Sequence, residues 1–341
     1  MIHETISNEA RLIVVSPAFN EAGGIEDLLK EVQAAMDPSV TLRRLHIVVV
    51  DDGSSDDTCG AVVRAATKLR VALDLVKLSK NFGQQAAIHA GLVHASQISS
   101  RDSLIMIMDS DLQHPPQLIT QMLTEIENGF DHVQMLRDDD LTLPVVKRTT
   151  SAVFYKLFRA LSGTEIVPGS SDFRLFTRRY LDAYLSYSEV NRFNRAIFVS
   201  LGFRTQKLSY RPSQRRAGAT KYSLWKMVKL GFQGIVQFTN APLILCSLAT
   251  FILSVLVCML YGIVELTKLI QGVEFAVGWP TMIFFVFFWG GLLSFNQFVN
   301  SLYVASIYNE VKRRPVFIVE SVISTLEENR VPNQKSGANY C

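Results

Sequence analysis

Several things are scarce in this 341-residue chain, and each scarcity excludes something. Only four cysteines occur, Cys59, Cys246, Cys258 and Cys341, and none forms a Cys-x-x-Cys pair. Neither a zinc site nor a disulfide framework is expected from such spacing; reduced thiols are. No Gly-x-x-x-x-Gly-Lys-Ser/Thr is present, since Gly218-Ala-Thr-Lys221 has the wrong spacing, and no Gly-x-Gly-x-x-Gly follows the first apolar run. Phosphate binding therefore cannot rest on a glycine-rich loop and needs metal and basic side chains instead. The first eleven residues are polar and lack an apolar core, so no cleaved signal peptide is expected. Internal repeats and low-complexity segments are absent as well.

Charge is missing where it matters most. Pro242–Val264 and Phe275–Tyr308 contain no Asp, Glu, Lys or Arg. A bilayer core of roughly 30 Å takes about 20 apolar helical residues, so each stretch is long enough to span. Asn296, Gln297 and Asn300 in the second are expected to face protein or an interface rather than lipid. Lys221, Lys226 and Lys229 precede the first stretch, and Lys312, Arg313 and Arg314 follow the second; the connector holds Glu265, Lys268 and Glu274. This asymmetry predicts a multi-pass protein of the inner cell membrane with both termini cytoplasmic.

Acidic residues are also absent from Arg204–Lys229, which carries eight Lys or Arg. The segment runs into Ser223–Phe238, where Trp225, Met227, Val228, Phe232 and Val236 share a helix with Lys226 and Lys229. A second amphipathic pattern, Val145–Leu161, carries Lys147, Arg148, Lys156 and Arg159 beside large apolar residues. Both predict helices lying in the headgroup plane of a bilayer.

What is present before residue 222 is an alternation of short apolar runs with helical patterns. Runs at Arg11–Pro17, Leu45–Val50, Leu73–Leu78, Leu104–Met108 and His132–Leu136 read as strands. Ile25–Met36, Thr58–Leu69, Gln84–Ala95 and Pro116–Asn128 read as helices between them. Such alternation predicts βαβ units, a mostly parallel Rossmann-like sheet, and a ligand site beyond the carboxyl ends of the strands. Polar loops recur there: Ser16-Pro-Ala-Phe-Asn-Glu21, Asp51-Asp-Gly-Ser-Ser-Asp56, Ser79-Lys-Asn-Phe-Gly83 and Asp109-Ser-Asp-Leu-Gln113. One such loop is ordinary capping; four in succession point to one shared site.

Asp109-x-Asp111 offers two carboxylates at a strand end, a donor set for a hard cation such as Mg²⁺ or Mn²⁺ shared with substrate phosphates. Asp52 is placed to accept from a base N–H or a ribose hydroxyl, with Glu21 and Lys80 on neighbouring loops. For Asp51 a turn or capping role competes with a ligand role.

In this order the motifs resemble the polyprenyl-phosphate glycosyltransferases of glycosyltransferase family 2, such as bactoprenol glucosyltransferases and dolichol-phosphate mannose synthases. The resemblance adds Asp-Phe-Arg-Leu (172–175), Arg-x-Gly-x-Thr-Lys-Tyr (216–222) and Asn-Glu-Val-Lys-Arg-Arg-Pro (309–315), and covers nearly the whole chain. It implies a GT-A domain over 1–222, an interfacial helix over 223–240, two transmembrane helices within 241–309 and a cytoplasmic tail over 310–341. It further implies Pro17, Phe19, Glu21 and Asp52 around the donor nucleoside, and Asp109, Asp111 and Gln113 at the metal and diphosphate. Asp172 is implied near the reacting sugar, as a base or an orienting group, with Arg216 and Lys221 attracting phosphate. Lys147 and Arg148 join those two as expected contacts of the acceptor phosphate. Two departures stand out: the stretch Asn191–Arg195 differs from the family's aromatic and acidic pair, and Lys80 replaces a common Arg.

The implied reaction moves a sugar, glucose from UDP-glucose first and mannose, N-acetylglucosamine or an aminopentose after it, onto polyprenyl phosphate. The anionic acceptor needs little deprotonation, so alignment and leaving-group stabilisation carry the catalysis, and direct displacement predicts inversion. Homo-oligomers, tetramers among them, are also implied. A processive polysaccharide synthase is disfavoured by the lack of Gln-x-x-Arg-Trp and of further spans. A non-catalytic nucleotide-sugar or lipid-binding membrane protein is the alternative from another class.

Overall fold

Residues 11–36, 45–69, 71–138, 169–190, 192–212, 240–271 and 278–325 are described by a computed structural model of the chain. Lys147, Arg148, Arg216 and Lys221, and both amphipathic patterns expected at the bilayer surface, lie outside these residues. The described residues form two compact units, 11–212 with 314–325 and 240–313.

The first unit is built on an eight-stranded sheet. Its strands are β1 (Leu12–Ala18), β2 (Leu45–Asp51), β3 (Ala72–Leu78), β4 (Leu104–Ile107), β5 (His132–Arg137), β6 (Ser170–Thr177), β7 (Thr205–Tyr210) and β8 (Val319–Ser324). They lie in the order β7-β5-β6-β4-β1-β2-β3-β8. Every residue of β1 and β2 is buried, as continuous apolar runs covered on both faces require. The helices that cover the sheet are α1 (Ile25–Ala35), α2 (Thr58–Lys68), α3 (Gln84–Ile98), α4 (Ile119–Glu127), α5 (Arg178–Leu185) and α6 (Asn194–Ser200). Ile25, Leu28, Leu29 and Val32 of α1 and Ala61, Val62 and Ala65 of α2 pack with Val14, Ile47 and Val49 in one core. On the opposite face α3 comes so near that a Cβ on Gly91 would sit 2.3 Å from Val15 Cγ1.

Pairs β1–β2, β2–β3 and β1–β4 are parallel, as the strand–helix alternation predicts, and β5 also pairs in parallel with β7, which that alternation does not include. Three pairings are antiparallel, β4–β6, β5–β6 and β3–β8, and make the sheet mixed. β8 falls in the stretch expected as a tail. It pairs along β3, with Ser79 N–H donating to the Ile318 carbonyl at 3.0 Å and Lys77 facing Glu320 at 3.0 Å. The chain thus leaves the sheet after β7 and returns to its far edge.

Beneath that edge lies a buried polar group. Asp74 Oδ2 is 3.0 Å from His46 Nε2 and 2.8 Å from His94 Nε2, tying β2, β3 and α3 together. Burial works to raise its carboxyl, but contacts with His46, His94 and Ser324 prevail and hold it far below the ordinary range.

The second unit is a helical hairpin, α7 (Ala241–Gln271) and α8 (Trp279–Val311). Ala241–Val264 and Met282–Val311 are long and apolar enough to cross a membrane; 24 residues reach about 36 Å. Phe251, Leu260, Phe284 and Phe287 stand exposed along them. Asn296 faces the partner helix, its Oδ1 accepting from Ser247 Oγ at 3.4 Å, and Asn300 is half-buried. Gln297 is exposed.

The Asp74 group predicts a pH dependence. A carboxyl lowered on folding from 3.8 contributes stability in full above that value, and the contribution is lost as pH falls below it. Asp74→Asn should therefore cost about 1–3 kcal/mol near neutrality, a deficit that shrinks as the solution is acidified below that ordinary value. Denaturant unfolding of the full-length protein in detergent, at neutral and acid pH, checks this; equal stabilities at pH 7 would refute it.

Candidate active site

The parallel strands point their carboxyl ends to one edge, and the order β3-β2-β1-β4 puts a switch point between β1 and β4, where α/β sheets bind ligands. The loops meeting there are bound to one another before any ligand arrives. Asn20, in the left-handed region at φ 58°, accepts from Ser55 N–H at 2.8 Å through Oδ1, and its own N–H donates to Ser54 Oγ at 2.9 Å. Asp56 accepts from the N–H groups of Ala22 and Thr58, both at 3.1 Å, joining the first loop to the start of α2. Ser110 Oγ donates to the Pro17 carbonyl at 2.9 Å, fixing the loop after β4 against the end of β1.

The two aspartates that end β2 do similar work. Asp51 is fully buried; Oδ1 accepts from Ser54 N–H at 3.2 Å and Oδ2 from Cys59 Sγ at 3.1 Å. Burial, then that carboxylate, push the Cys59 thiol up to about 12, so it stays a thiol. Of Asp51's two readings, the turn role is the one seen. Asp52 Oδ1 accepts from Phe82 N–H at 2.7 Å and Oδ2 from Gly83 N–H at 2.9 Å. Burial raises its carboxyl despite these two bonds. The loops after β2 and β3 touch at Gly53, where a Cβ would lie 2.4 Å from the Lys80 carbonyl carbon.

Outside this inner ring stand the groups open to a ligand. Phe19 is 46% exposed, Lys80 is exposed with Nζ 5.1 Å from the Phe82 ring centroid, and Glu21 is half-buried beside them. Pro17 is buried at the end of β1.

Asp109 and Asp111 follow β4 at the same edge. Gln84 Nε2, at the first turn of α3, donates to Asp109 Oδ1 at 3.0 Å. The Asp109 N–H donates to His114 Nδ1 at 3.0 Å, and His114 stacks on Phe173 with centroids 4.8 Å apart. Asp111 Oδ1 accepts from Gln113 N–H at 3.1 Å across Leu112, which takes φ 60° to make the turn. Burial raises the Asp109 carboxyl; the carboxylates of Asp172 and Asp111 add to the rise, while His114 and Arg195 oppose it.

Asp172 reaches this point through the antiparallel register. Ile107 of β4 pairs with Arg174 of β6, so two residues further along, Asp172 comes level with Asp109. Arg195 grips it with both arms, Nε to Oδ1 and Nη2 to Oδ2, each at 3.2 Å. Arg174 Nη2 lies 3.8 Å from Oδ1. Burial works against the charge, yet Arg195 and then Arg174 hold the carboxyl below its ordinary range. Arg174 itself is fully buried, its guanidinium 4.2 Å from the Phe198 ring centroid.

Asp109, Asp111 and Asp172, expected from the sequence, thus share one electrostatic neighbourhood, with Phe19, Glu21, Asp52 and Lys80 on loops of the same edge. Gln84, His114 and Arg195 were not anticipated. Arg195 had one legible signal, as the lone charge in the otherwise uncharged helix Asn194–Ser200; Gln84 and His114 had none beyond adjacency to motifs.

Residues 13–185 match the family model described as glycosyl transferase family 2. Among curated relatives, the uncharacterized glycosyltransferase YkcC of Bacillus subtilis is 30% identical over 315 residues, 92% of this chain and 95% of that protein. The SfII prophage-derived bactoprenol glucosyl transferase of Shigella flexneri is 30% identical over 311 residues, 91% of this chain and 97% of that protein. Among solved structures, the mannosyltransferase PcManGT from Pyrobaculum calidifontis, in complex with GDP-Man and Mn²⁺, superimposes with a TM-score of 0.46 at 19% identity, covering 89% of this chain and 86% of that one.

The contact at Gly53 yields a prediction. Its φ of 67° and the backbone against its missing Cβ mean that Gly53→Ala must both strain the turn and displace Lys80 and Asn81. A loss of at least about 1–2 kcal/mol is expected from the left-handed conformation alone. An unchanged thermal midpoint in purified full-length protein would show that the two loops are not packed as described.

Proposed function

The chain belongs to glycosyl transferase family 2, and on that premise we propose that it transfers a sugar from a nucleotide-sugar donor to the phosphate of a polyprenyl lipid. The observation that carries this reading is the group of carboxylates, Asp109, Asp111 and Asp172, at the switch point of the sheet. Supporting it are relatives named bactoprenol glucosyl transferase along nine-tenths of the chain and two helices long enough to cross a bilayer. Glucose from UDP-glucose is the first candidate donor. The spans are taken as a membrane hairpin of the inner membrane with both termini cytoplasmic, which puts donor and transfer on the cytoplasmic side.

The residues present fit a divalent cation. Among the described residues no three His, Cys, Asp or Glu converge into a complete metal shell. Asp109 and Asp111 supply two oxygen donors, and Mg²⁺ or Mn²⁺ with one or two carboxylates characteristically fills its shell from phosphates and water. Burial and then the charges of Asp172 and Asp111 raise the Asp109 carboxyl, and a bound cation would offset both. Such an ion, when bound, neutralises charge gathering on the departing diphosphate.

Everything else falls to the chain. Gln84 and the Gln113 N–H hold Asp109 and Asp111 in place in advance, so little reorganisation is needed at the moment of reaction. Pro17, Phe19, Glu21, Asp52 and Lys80 frame the nucleoside, the exposed Phe19 ring offering a stacking face and Lys80 a charge. Lys147, Arg148, Arg216 and Lys221 draw in the acceptor phosphate. That phosphate is already anionic near neutral pH, so its oxygen attacks the anomeric carbon without a strong base, and displacement opposite the leaving group inverts the centre. A homo-oligomer, with a tetramer as one form, belongs to the same reading.

The deciding experiment incubates purified full-length protein with undecaprenyl phosphate, Mg²⁺ or Mn²⁺, and a panel of nucleotide sugars. One donor should give a β-linked lipid phosphosugar, EDTA should stop its formation, and Asp111→Asn should cut kcat on the order of a hundredfold or more. Wild-type protein that binds a nucleotide sugar through Asp111 but transfers nothing would replace the enzyme reading with that of a binding protein.

A further inference from the structure

The Asp172–Arg195 pair is asymmetric in a way that assigns its two members different tasks. Asp172 is sunk in the sheet, its side chain 3% exposed, while Arg195 on α6 is 37% exposed. Both carboxylate oxygens of Asp172 are taken by the Arg195 fork, and Arg174 stands behind at 3.8 Å. A carboxylate so held has its charged form stabilised and presents little of itself to a substrate. The guanidinium is a planar group with five donor N–H bonds, part of it open to the surface. It grips Asp172, which the register of β4 against β6 brings level with Asp109. Arg174 cannot share the task, being wholly buried against Phe198.

We propose that Arg195 is a phosphate-binding residue of this active site and that Asp172 is its positioning residue rather than a base. The ligand chemistry is a phosphate oxyanion. The inference rests on the glycosyl-transfer reading for its biological meaning, and either the donor diphosphate or the acceptor monophosphate could supply the oxyanion. Buttressing by Asp172 removes the rotational freedom a lone surface arginine would have to give up on binding, so the cation is aimed before the anion arrives.

Binding and turnover together test this in the full-length protein. Calorimetry measures affinity for UDP with Mn²⁺ in one arm and for farnesyl phosphate in the other; transfer kinetics give KM for donor and acceptor and kcat. Arg195→Gln should weaken one arm about tenfold to a hundredfold, as loss of a charge-assisted bond does, with the KM of the matching substrate rising in step. The affected arm names the source of the phosphate. Arg195→Lys, which keeps the charge but not the fork, should recover part of the loss, and Asp172→Asn should raise the same KM to a smaller degree. Wild-type affinity in both arms and unchanged KM values for Arg195→Gln would overturn the proposal. So would an Asp172→Asn variant that loses kcat while both KM values stand. Absence of transfer by the wild type would sink the glycosyl-transfer reading alone, because the binding arms still decide the role of Arg195.

Discussion

Mutual repulsion among Asp109, Asp111 and Asp172 is the constraint around which the rest of the site is arranged. Gathering three carboxylates at one sheet edge is costly: burial raises the Asp109 carboxyl first, and the charges of Asp172 and Asp111 raise it further. The fold offsets it unevenly. Asp172 receives two guanidinium groups and stays ionised, whereas Asp109 receives one amide N–H from Gln84 and an imidazole that accepts from its backbone. Countercharge is thus concentrated on the buried carboxylate, and the more exposed one, whose side chain is 26% exposed, is left raised despite His114 and Arg195. An edge left electrostatically incomplete in this way attracts cations, and a cation in turn attracts polyphosphate.

Around this centre, polar residues divide into an inner and an outer ring. In the inner ring, Asn20, Asp52, Asp56 and Ser110 bond loop to loop through backbone groups, and Asp51 braces its own turn. The outer ring, Phe19, Lys80, Asp109 and Asp111, keeps surface available. Each loop alone would be a mobile turn; stitched together they hold the outer ring at fixed positions, which is the precondition for electrostatic catalysis. Asp52 illustrates how the division is made. Its two bonds reach the N–H groups of Phe82 and Gly83 at the start of α3, and the next residue, Gln84, holds Asp109. A carboxylate at the end of β2 therefore bears on the geometry at the end of β4 through three consecutive residues.

The first five strands and four helices were legible in the sequence because continuous apolar runs alternate there with one-sided helical patterns, and local composition decides both. Residues Ser170–Thr177 were not read as a strand. Their Asp172 and Arg174 are charged, and the ion pairs, the Ser171 carbonyl and the Phe198 ring make burial of those charges tolerable, which no local pattern reveals. Val319–Ser324 pairs with a strand some 240 residues earlier, and that partner is invisible to any window. The same split holds for the site. Asp109 and Asp111 could be placed by the rule that ligands gather beyond strand carboxyl ends, while Arg195 acquires meaning only from Asp172, 23 positions away. Asp51 and Asp52 look alike in sequence, and hydrogen bonding alone separates the turn former from the clamp on the α3 loop.

The return of the chain as β8 bears on why the apolar hairpin is an insertion and not an appendage. Without β8, β3 would be the sheet's edge, presenting unpaired N–H and C=O groups along its outer side. β3 also leads directly into the Ser79–Gly83 loop, and Ser79 N–H is held by the Ile318 carbonyl just ahead of β8. Residues beyond the hairpin therefore help fix the loop on which Asp52 and Gln84 act. Because both strands flanking the insertion, β7 and β8, are hydrogen-bonded into one sheet, the fold that shapes the site is completed only once α7 and α8 have been made. The Ser79–Gly83 loop thus gains its last support only in a chain that already carries its apolar hairpin.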